Sequence, residues 1–382
     1  MSTFVTRISA ELRGDRAIWA IFAIFSLVSI LAVYSSTGML AYKERGGNTE
    51  AYLIKHTIIL AAGMLLAYAF HLIHYKRFLK WAPYLLLFCV PLLLATIAFA
   101  PEVNEARRWI QIPYVGLTFQ ASDFAKIALI VYVAKTISSK QEYIKDFNSA
   151  FLPIIVPILI VCGLIAPANL STAILLFITC ILMMFIGRVS VKYILLLLLL
   201  GVCVFSMLIL LHDVFPDIIR LETWVSRWKE YMDINSEGGY QARQGKIAIA
   251  NGGWFGMGPG NSIQRNFLPS SYSDFIYAII CEEYGVLGGS MIIGLYVFLF
   301  VRITRLATKG TGATAFGTML SLGLGLLLVV QAFINIGVSV NVLPVTGVTL
   351  PMLSMGGTSL LFTCIAFGMI LSVSKFIESS DE

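Results

Sequence analysis

Ser273, Asp274, Phe275 and Ile276 set a single carboxylate directly before a long apolar run. Such a carboxylate has two uses. As a helix N-cap it suits the dipole of the helix that follows; as a general base at a membrane surface, its partial desolvation would raise its proton affinity toward working pH. One residue can serve both ends. A second arrangement is Gln120, Asp123 and Lys126, which recur every three residues and so stack along one helical face near its outer end. That stripe is either a self-neutralising Asp–Lys pair at headgroup level or a cavity wall that offers a carboxylate and a cation to a polar ligand. Glu282 and Glu283 are adjacent in an apolar run and point roughly 100° apart, so they cannot share a face. Charge at membrane depth is costly, so at least one needs a protein partner, and a structural ion pair to another helix is favoured over catalysis.

Between these carboxylates, Gly252, Gly253, Gly256, Gly258 and Gly260 punctuate a turn-rich stretch that leads to Asn261, Ser262 and Gln264. It lacks the spacing and the terminal Gly-Lys-Ser/Thr of a nucleotide loop. Pro167, Ala168, Asn169, Leu170, Ser171 and Thr172 read as an uncharged helix cap. The six cysteines, at 89, 162, 180, 203, 281 and 364, form no CxxC pair and read as small core residues.

The elements that must position these groups are membrane spans. Of 382 residues, 58% are hydrophobic and 13% charged, and mean hydropathy is +0.85. Soluble domains carry about 25% charge, so a water-soluble globule is excluded. A net charge of +6 is too small to argue for nucleic acid. Apolar runs near 18–36, 54–73, 81–100, 120–137, 151–165, 171–187, 193–211, 276–301, 317–340 and 358–374 predict ten transmembrane helices in an all-α polytopic protein. The first run is too long for a signal-peptide core and reads as a mature span.

Arg7, Arg13, Arg16 and the even-numbered loops, with Lys375 in the tail, hold fifteen basic residues, against five (Lys43, Arg45, Lys55, Arg107, Arg108) in the short odd loops. The positive-inside rule then puts both termini in the cytoplasm and the long segment 212–274, between the seventh and eighth spans, outside. Within it, Ile218, Leu221, Val225, Trp228 and Met232 repeat at helical spacing like an interfacial helix, and a second helix is expected from Tyr240 to Ala250. The two halves of the chain show no matching repeat, which disfavours symmetric transporter folds. A lipid flippase would need its polar groups at the midplane and reachable from both sides; here they cluster in the outer half.

Gly239, Tyr240, Gln241, Ala248, Gly252, Gly253, Gly256, Gly258, Gly260, Asn261, Ser262, Gln264, Leu268, Pro269, Asp274, Phe275, Ile276, Glu282, Glu283 and Gly285 together resemble the signature region of the SEDS family (shape, elongation, division and sporulation). Asn104, Ala106, Arg108, Trp109 and Ile110 resemble its outer-loop motif; Phe119, Gln120, Ser122, Asp123, Ala125 and Lys126 its fourth-helix motif; and Leu343 to Ser359 its C-terminal motif. The likeness covers essentially the whole chain, 1–382, as one membrane domain. The wording Gly260, Asn261, Ser262, Gln264 is similar to the division branch more than to the elongation branch. Where the family usually has Pro, Glu, Gly, Asp and Gly, this chain has Ala121, Asp123, Glu105, Asn169 and Ser171. Asp123 keeps the charge with a shorter reach, whereas Asn169 carries none.

The resemblance implies a peptidoglycan glycosyltransferase that polymerises lipid II in the bacterial inner membrane at the division septum. On it, Asp274 is the expected catalytic carboxylate. Arg108, Gln120, Asp123, Lys126, Asn261 and Gln264 are expected around the substrate, with Lys126 and Arg108 stabilising the leaving pyrophosphate, and Glu282 and Glu283 as structural or cavity groups. It implies a class B penicillin-binding protein (a transpeptidase) and other division proteins as partners. No cofactor is implied for certain; a divalent cation is left open, without a ligand cluster to support it.

Overall fold

Long runs of Leu, Ile, Val, Phe and Ala satisfy their backbone as helix, the form a single segment must take in lipid. The computed structural model describes residues 13–38, 40, 42, 48–101, 108–112, 117–211, 231–232, 239–269, 271–309 and 315–381, and every apolar segment expected to cross is helical in it. In chain order these are α1 Arg16–Ser36, α2 Thr49–Leu72, α3 Lys76–Phe99, α4 Ala121–Ser139, α5 Leu152–Ile165, α6 Leu170–Ile186 and α7 Val191–Leu211, then α8 Gly239–Gly252, α9 Ile276–Lys309, α10 Ala315–Ser339 and α11 Thr358–Asp381. Among the described residues, seven helical segments are long and apolar enough to cross a membrane: α1, α2, α3, α5 with the turn before it, α9, α10 and α11. The helix α4 carries Asp123, Lys126 and Lys135, and α6 is shorter.

Polar side chains cap three of the helices, where backbone N–H groups would be left unpaired. The Asp15 carboxylate accepts from the Ala17 and Ile18 amides at 2.8 and 3.2 Å, Asn48 caps α2 through the Ala51 amide, and Asn169 caps α6 through the Thr172 amide at 3.2 Å, as its sequence context predicts. The centre of the bundle is α10 and α11, 78% and 72% buried over their apolar windows, while α2 and α3 are 28% and 22% buried and form the rim. Five of the six cysteines are buried and Cys203 is exposed, all as free thiols.

Two features depart from the all-helical expectation. An antiparallel hairpin, β1 Trp109–Ile112 with β2 Leu117–Gln120, pairs Trp109 with Gln120 and Ile112 with Leu117. Its aromatic and β-branched residues favour a pleated ribbon over the loop expected there. Gln120 therefore ends a strand and stands just before α4; it is not on the helical face of Asp123 and Lys126. The amphipathic run from Ile218, except Met232, lies outside the described residues, as do Asn104, Ala106, Arg7, Lys43, Arg45 and Arg107. The second loop helix is present as α8.

The other departure is a break in α9 at Gly285, with φ 69° and ψ −172°. It frees carbonyls of the preceding turn, and the glycine-rich stretch supplies the donors. The Met257 and Gly258 amides donate to the Glu282 and Glu283 carbonyls at 2.9 and 3.0 Å, while the Val286 and Leu287 amides donate back to Gly253 and Trp254. This contact requires glycine: a Cβ on Gly256 would lie 2.1 Å from the Glu283 carbonyl oxygen, and one on Gly285 2.3 Å from that of Trp254. Gly256→Ala is expected to cost about 1–3 kcal/mol from overpacking, beyond the strain of its φ of 83°. Gly260→Ala, at φ 77° with nothing near its added methyl group, should lose the strain alone. Thermal unfolding of the two variants in detergent checks this; equal midpoints would show that the close approach carries no energy.

Candidate active site

The chain between α10 and α11 is the hub of the polar groups. Its turns rest on Met352, Gly347 and Gly357 at positive φ, and it is held from three sides. From α10, Gln331 and Asn335 lie one turn apart on the same face. The Gln331 side-chain amide donates to the Thr349 carbonyl at 2.9 Å; that of Asn335 donates to the Val348 carbonyl at 2.7 Å and to the Asp274 carbonyl at 2.8 Å. From the chain before α9, the Tyr272 carbonyl accepts from the Met355 amide and the Ser273 carbonyl from the Ser354 hydroxyl. From α9 itself the buried Tyr296 hydroxyl donates to the Pro351 carbonyl.

Asp274 sits inside this clasp. A Cβ placed on Gly347 would lie 3.7 Å from its Oδ2, and the Ser273 hydroxyl donates to its Oδ1 at 3.0 Å. The first helical residue of α9 is Ile276 and the Ile279 amide pairs with the Phe275 carbonyl, so the boundary position is Phe275 and Asp274 stands one residue outside it. Phe275 packs with Leu268, Ile279 and Val338 in a small apolar cluster, which pins the backbone of its neighbour.

Asp123 and Lys126 form an ion pair at 2.8 Å, both buried, with the Lys126 ammonium also donating to the Gln331 side-chain oxygen at 3.4 Å. Through Gln331 and Thr349 the pair abuts the same segment that flanks Asp274. Among the described residues the Asp123 Oδ2 is buried without a hydrogen-bond partner, an acceptor left for a polar ligand, and so is the Thr346 hydroxyl in the segment before α11. Gln120 reaches the hub by its backbone: its amide donates to the Thr358 hydroxyl at 3.3 Å and its side chain to Ser122, while Ser359 neighbours Thr349. Arg108 donates to the Ala168 carbonyl and lines a recess with Thr96, Ser122 and Asn169 at the C-terminal end of α3, the N-terminal end of α4 and the α5–α6 turn.

Asn261 and Gln264 belong to a different cluster. Glu282, fully buried, accepts from the Ser262 hydroxyl, from the Ile263 and Gln264 amides at 3.3 and 3.2 Å and from the Asn251 side chain. Glu283 accepts from the Ser35 hydroxyl at the end of α1. The expected ion pair is corrected: among the described residues neither carboxylate has a cation partner; backbone, hydroxyl and amide donors surround Glu282, and a hydroxyl meets Glu283. Asn261 is exposed and its side chain donates to the Met257 carbonyl, while Gln264 is buried with its side-chain oxygen unpaired. Among the described residues no group of His, Cys, Asp and Glu is arranged to hold a metal ion.

Gln331 and Asn335 carry no charge, so the charged residues of the spans do not point to them. Two amides four residues apart in an otherwise apolar run were the available signal.

The chain is similar to the probable peptidoglycan glycosyltransferase FtsW of Coxiella burnetii, 33% identical over 357 residues that cover 91% of this chain and 93% of that one. It is 32% identical to the same-named protein of Bacillus subtilis over 356 residues, 91% and 87% of the two chains. Its fold is like a chain from a peptidoglycan synthase complex described as coordinating polymerization and crosslinking, with a TM-score of 0.75, 23% identity and 95% and 98% of the chains covered. It is also like the rod shape determining protein RodA of Thermus thermophilus, at 0.67, 21%, 94% and 96%. The family model described as "Cell cycle protein", spanning FtsW, RodA and SpoVE, matches residues 15–379, and the chain belongs to that family.

Proposed function

We propose that this chain is an inverting peptidoglycan glycosyltransferase that polymerises lipid II during cell division. The observation that carries the reading is the clasp around residues 347–349, which has the Asp274 carboxylate on one side and the Lys126–Asp123 pair on the other, one turn apart along α10. Asp274 accepts the proton of the acceptor GlcNAc 4-hydroxyl as that oxygen attacks the anomeric carbon of the donor MurNAc. The bond to the undecaprenyl pyrophosphate breaks with its electron pair, and the leaving charge is met by Lys126 and by Arg108 at the neighbouring recess. Attack opposite an α-pyrophosphate gives the β-1,4 linkage, and the activated donor supplies the driving force.

The ten apolar helices all cross the inner membrane in this reading, α4 shielding its charges in the bundle interior, with both termini cytoplasmic and residues 212–274 outside. A class B penicillin-binding protein is the natural partner, because glycan emerges on the face where crosslinking occurs; FtsW names and a synthase-complex fold among the relatives support both assignments. Depletion in the native host is expected to give filaments without septa; rounded cells that still divide would assign the chain to elongation instead.

A further inference from the structure

The glycine-rich turn presents an apolar surface that the reaction does not use. Trp254 is 71% and Phe255 83% exposed, with Met257, Ile263 and Phe267 exposed beside them. From residue 247 to 264 the sequence carries no charged side chain. The turn also leaves little of its backbone unmet at the break: five bonds join Gly252, Gly253, Trp254, Gly256, Met257 and Gly258 to one another and to α9 on both sides of Gly285. Non-helical backbone tolerates an apolar environment only when paired in this way.

Two links fix the height of this turn. The Arg302 guanidinium pairs with Asp15 at the start of α1, at 2.7 Å, and the Ser35 hydroxyl at its end meets Glu283. Twenty residues of α1 and nineteen of α9 separate the links, about 30 Å at 1.5 Å per residue. That is the thickness of the hydrocarbon core, about 30 Å. With Arg302 at one boundary, Glu283 and the break at Gly285 fall at the other, and Trp254, bonded to Leu287, falls with them. Below the break, Leu287, Met291, Val297, Phe298 and Val301 continue the exposed apolar surface down α9.

We infer that the Trp254–Met257 turn is an outer-leaflet anchor: a rigid aromatic wedge whose partner is the phospholipid itself, bedded where acyl chains meet headgroups. Interfacial depth is where Trp rings are enriched, apolar on one side and hydrogen-bonding on the other. The wedge is rigid because the Glu282 side chain and the Glu282 and Glu283 carbonyls hold the same loop. It therefore ties the segment leading to Asp274 to the bilayer surface. The inference rests on membrane embedding and not on the polymerase reading.

The test is the emission of Trp254, taken as the difference between wild type and Trp254→Phe, each reconstituted in phosphatidylcholine vesicles with plain chains or with chains brominated near the headgroup. Bromolipid is expected to lower that emission at least about two-fold, with weak quenching by aqueous acrylamide. Quenching by acrylamide and not by bromolipid would show a water-facing turn, and quenching by neither would show a turn covered by protein; each overturns the inference. Should Trp254→Phe fold poorly, a nitroxide at Phe255→Cys in a Cys203→Ser background gives the same answer: it should be relaxed more by oxygen than by a water-soluble nickel chelate, and the reverse order would refute lipid contact.

Discussion

Asp274→Asn is expected to leave the chain inserted and folded while lowering glycan polymerisation by at least about 10²-fold, the scale of a lost general base. The amide keeps the size of the carboxylate and can still receive the Ser273 hydroxyl, and the Asn335 bond falls on the backbone carbonyl, which the substitution leaves in place. What it loses is the ability to take a proton. Phe275 stands at the boundary of α9, so the fold does not depend on a charge at 274 to start the helix. Thermal unfolding in detergent should match wild type, and turnover of lipid II should not. A variant that polymerises at near wild-type rate would make Asp274 structural.

Lys126→Met has the second large effect, and it has two parts. It leaves the buried Asp123 carboxylate without its cation, which costs about 3–5 kcal/mol when one member of a buried pair is removed. It also removes the charge proposed to meet the leaving pyrophosphate. Asp123→Asn in the same chain separates the two. The double variant should recover the yield of folded protein, since no lone buried charge remains, yet stay at least about 10²-fold slow. Recovery of the rate along with the yield would reduce Lys126 and Asp123 to a packing device.

The sequence carried the helices because lipid imposes one rule, about twenty apolar residues per crossing, and runs such as 317–340 obey it visibly. It carried Asp274, Asp123 and Lys126 because charge in such runs is conspicuous. It did not carry the clasp, since Gln331 and Asn335 are neutral and their partners are backbone carbonyls of a loop 13 to 18 residues further on. Glu282 and Glu283 were legible as needing partners, and their divergence by about 100° correctly sends one to the glycine-rich loop and the other to α1. That the partners are hydroxyls and amides in place of cations follows from the break at Gly285, which brings a loop backbone against the helix. Gly285, two residues after the adjacent glutamates, was the local sign of it. The hairpin at 109–120 was hidden for a related reason: its four-residue strands are too short for an alternation to stand out.

The most direct test incubates the purified chain, reconstituted with the class B penicillin-binding protein proposed as its partner and with the transpeptidase blocked by a β-lactam, with labelled lipid II, and resolves the products on a gel. A ladder of glycan strands is expected that a muramidase digests to disaccharide units and that the same complex carrying Asp274→Asn does not make. Lipid II recovered intact from the wild-type complex, or an equal ladder from both, would contradict it.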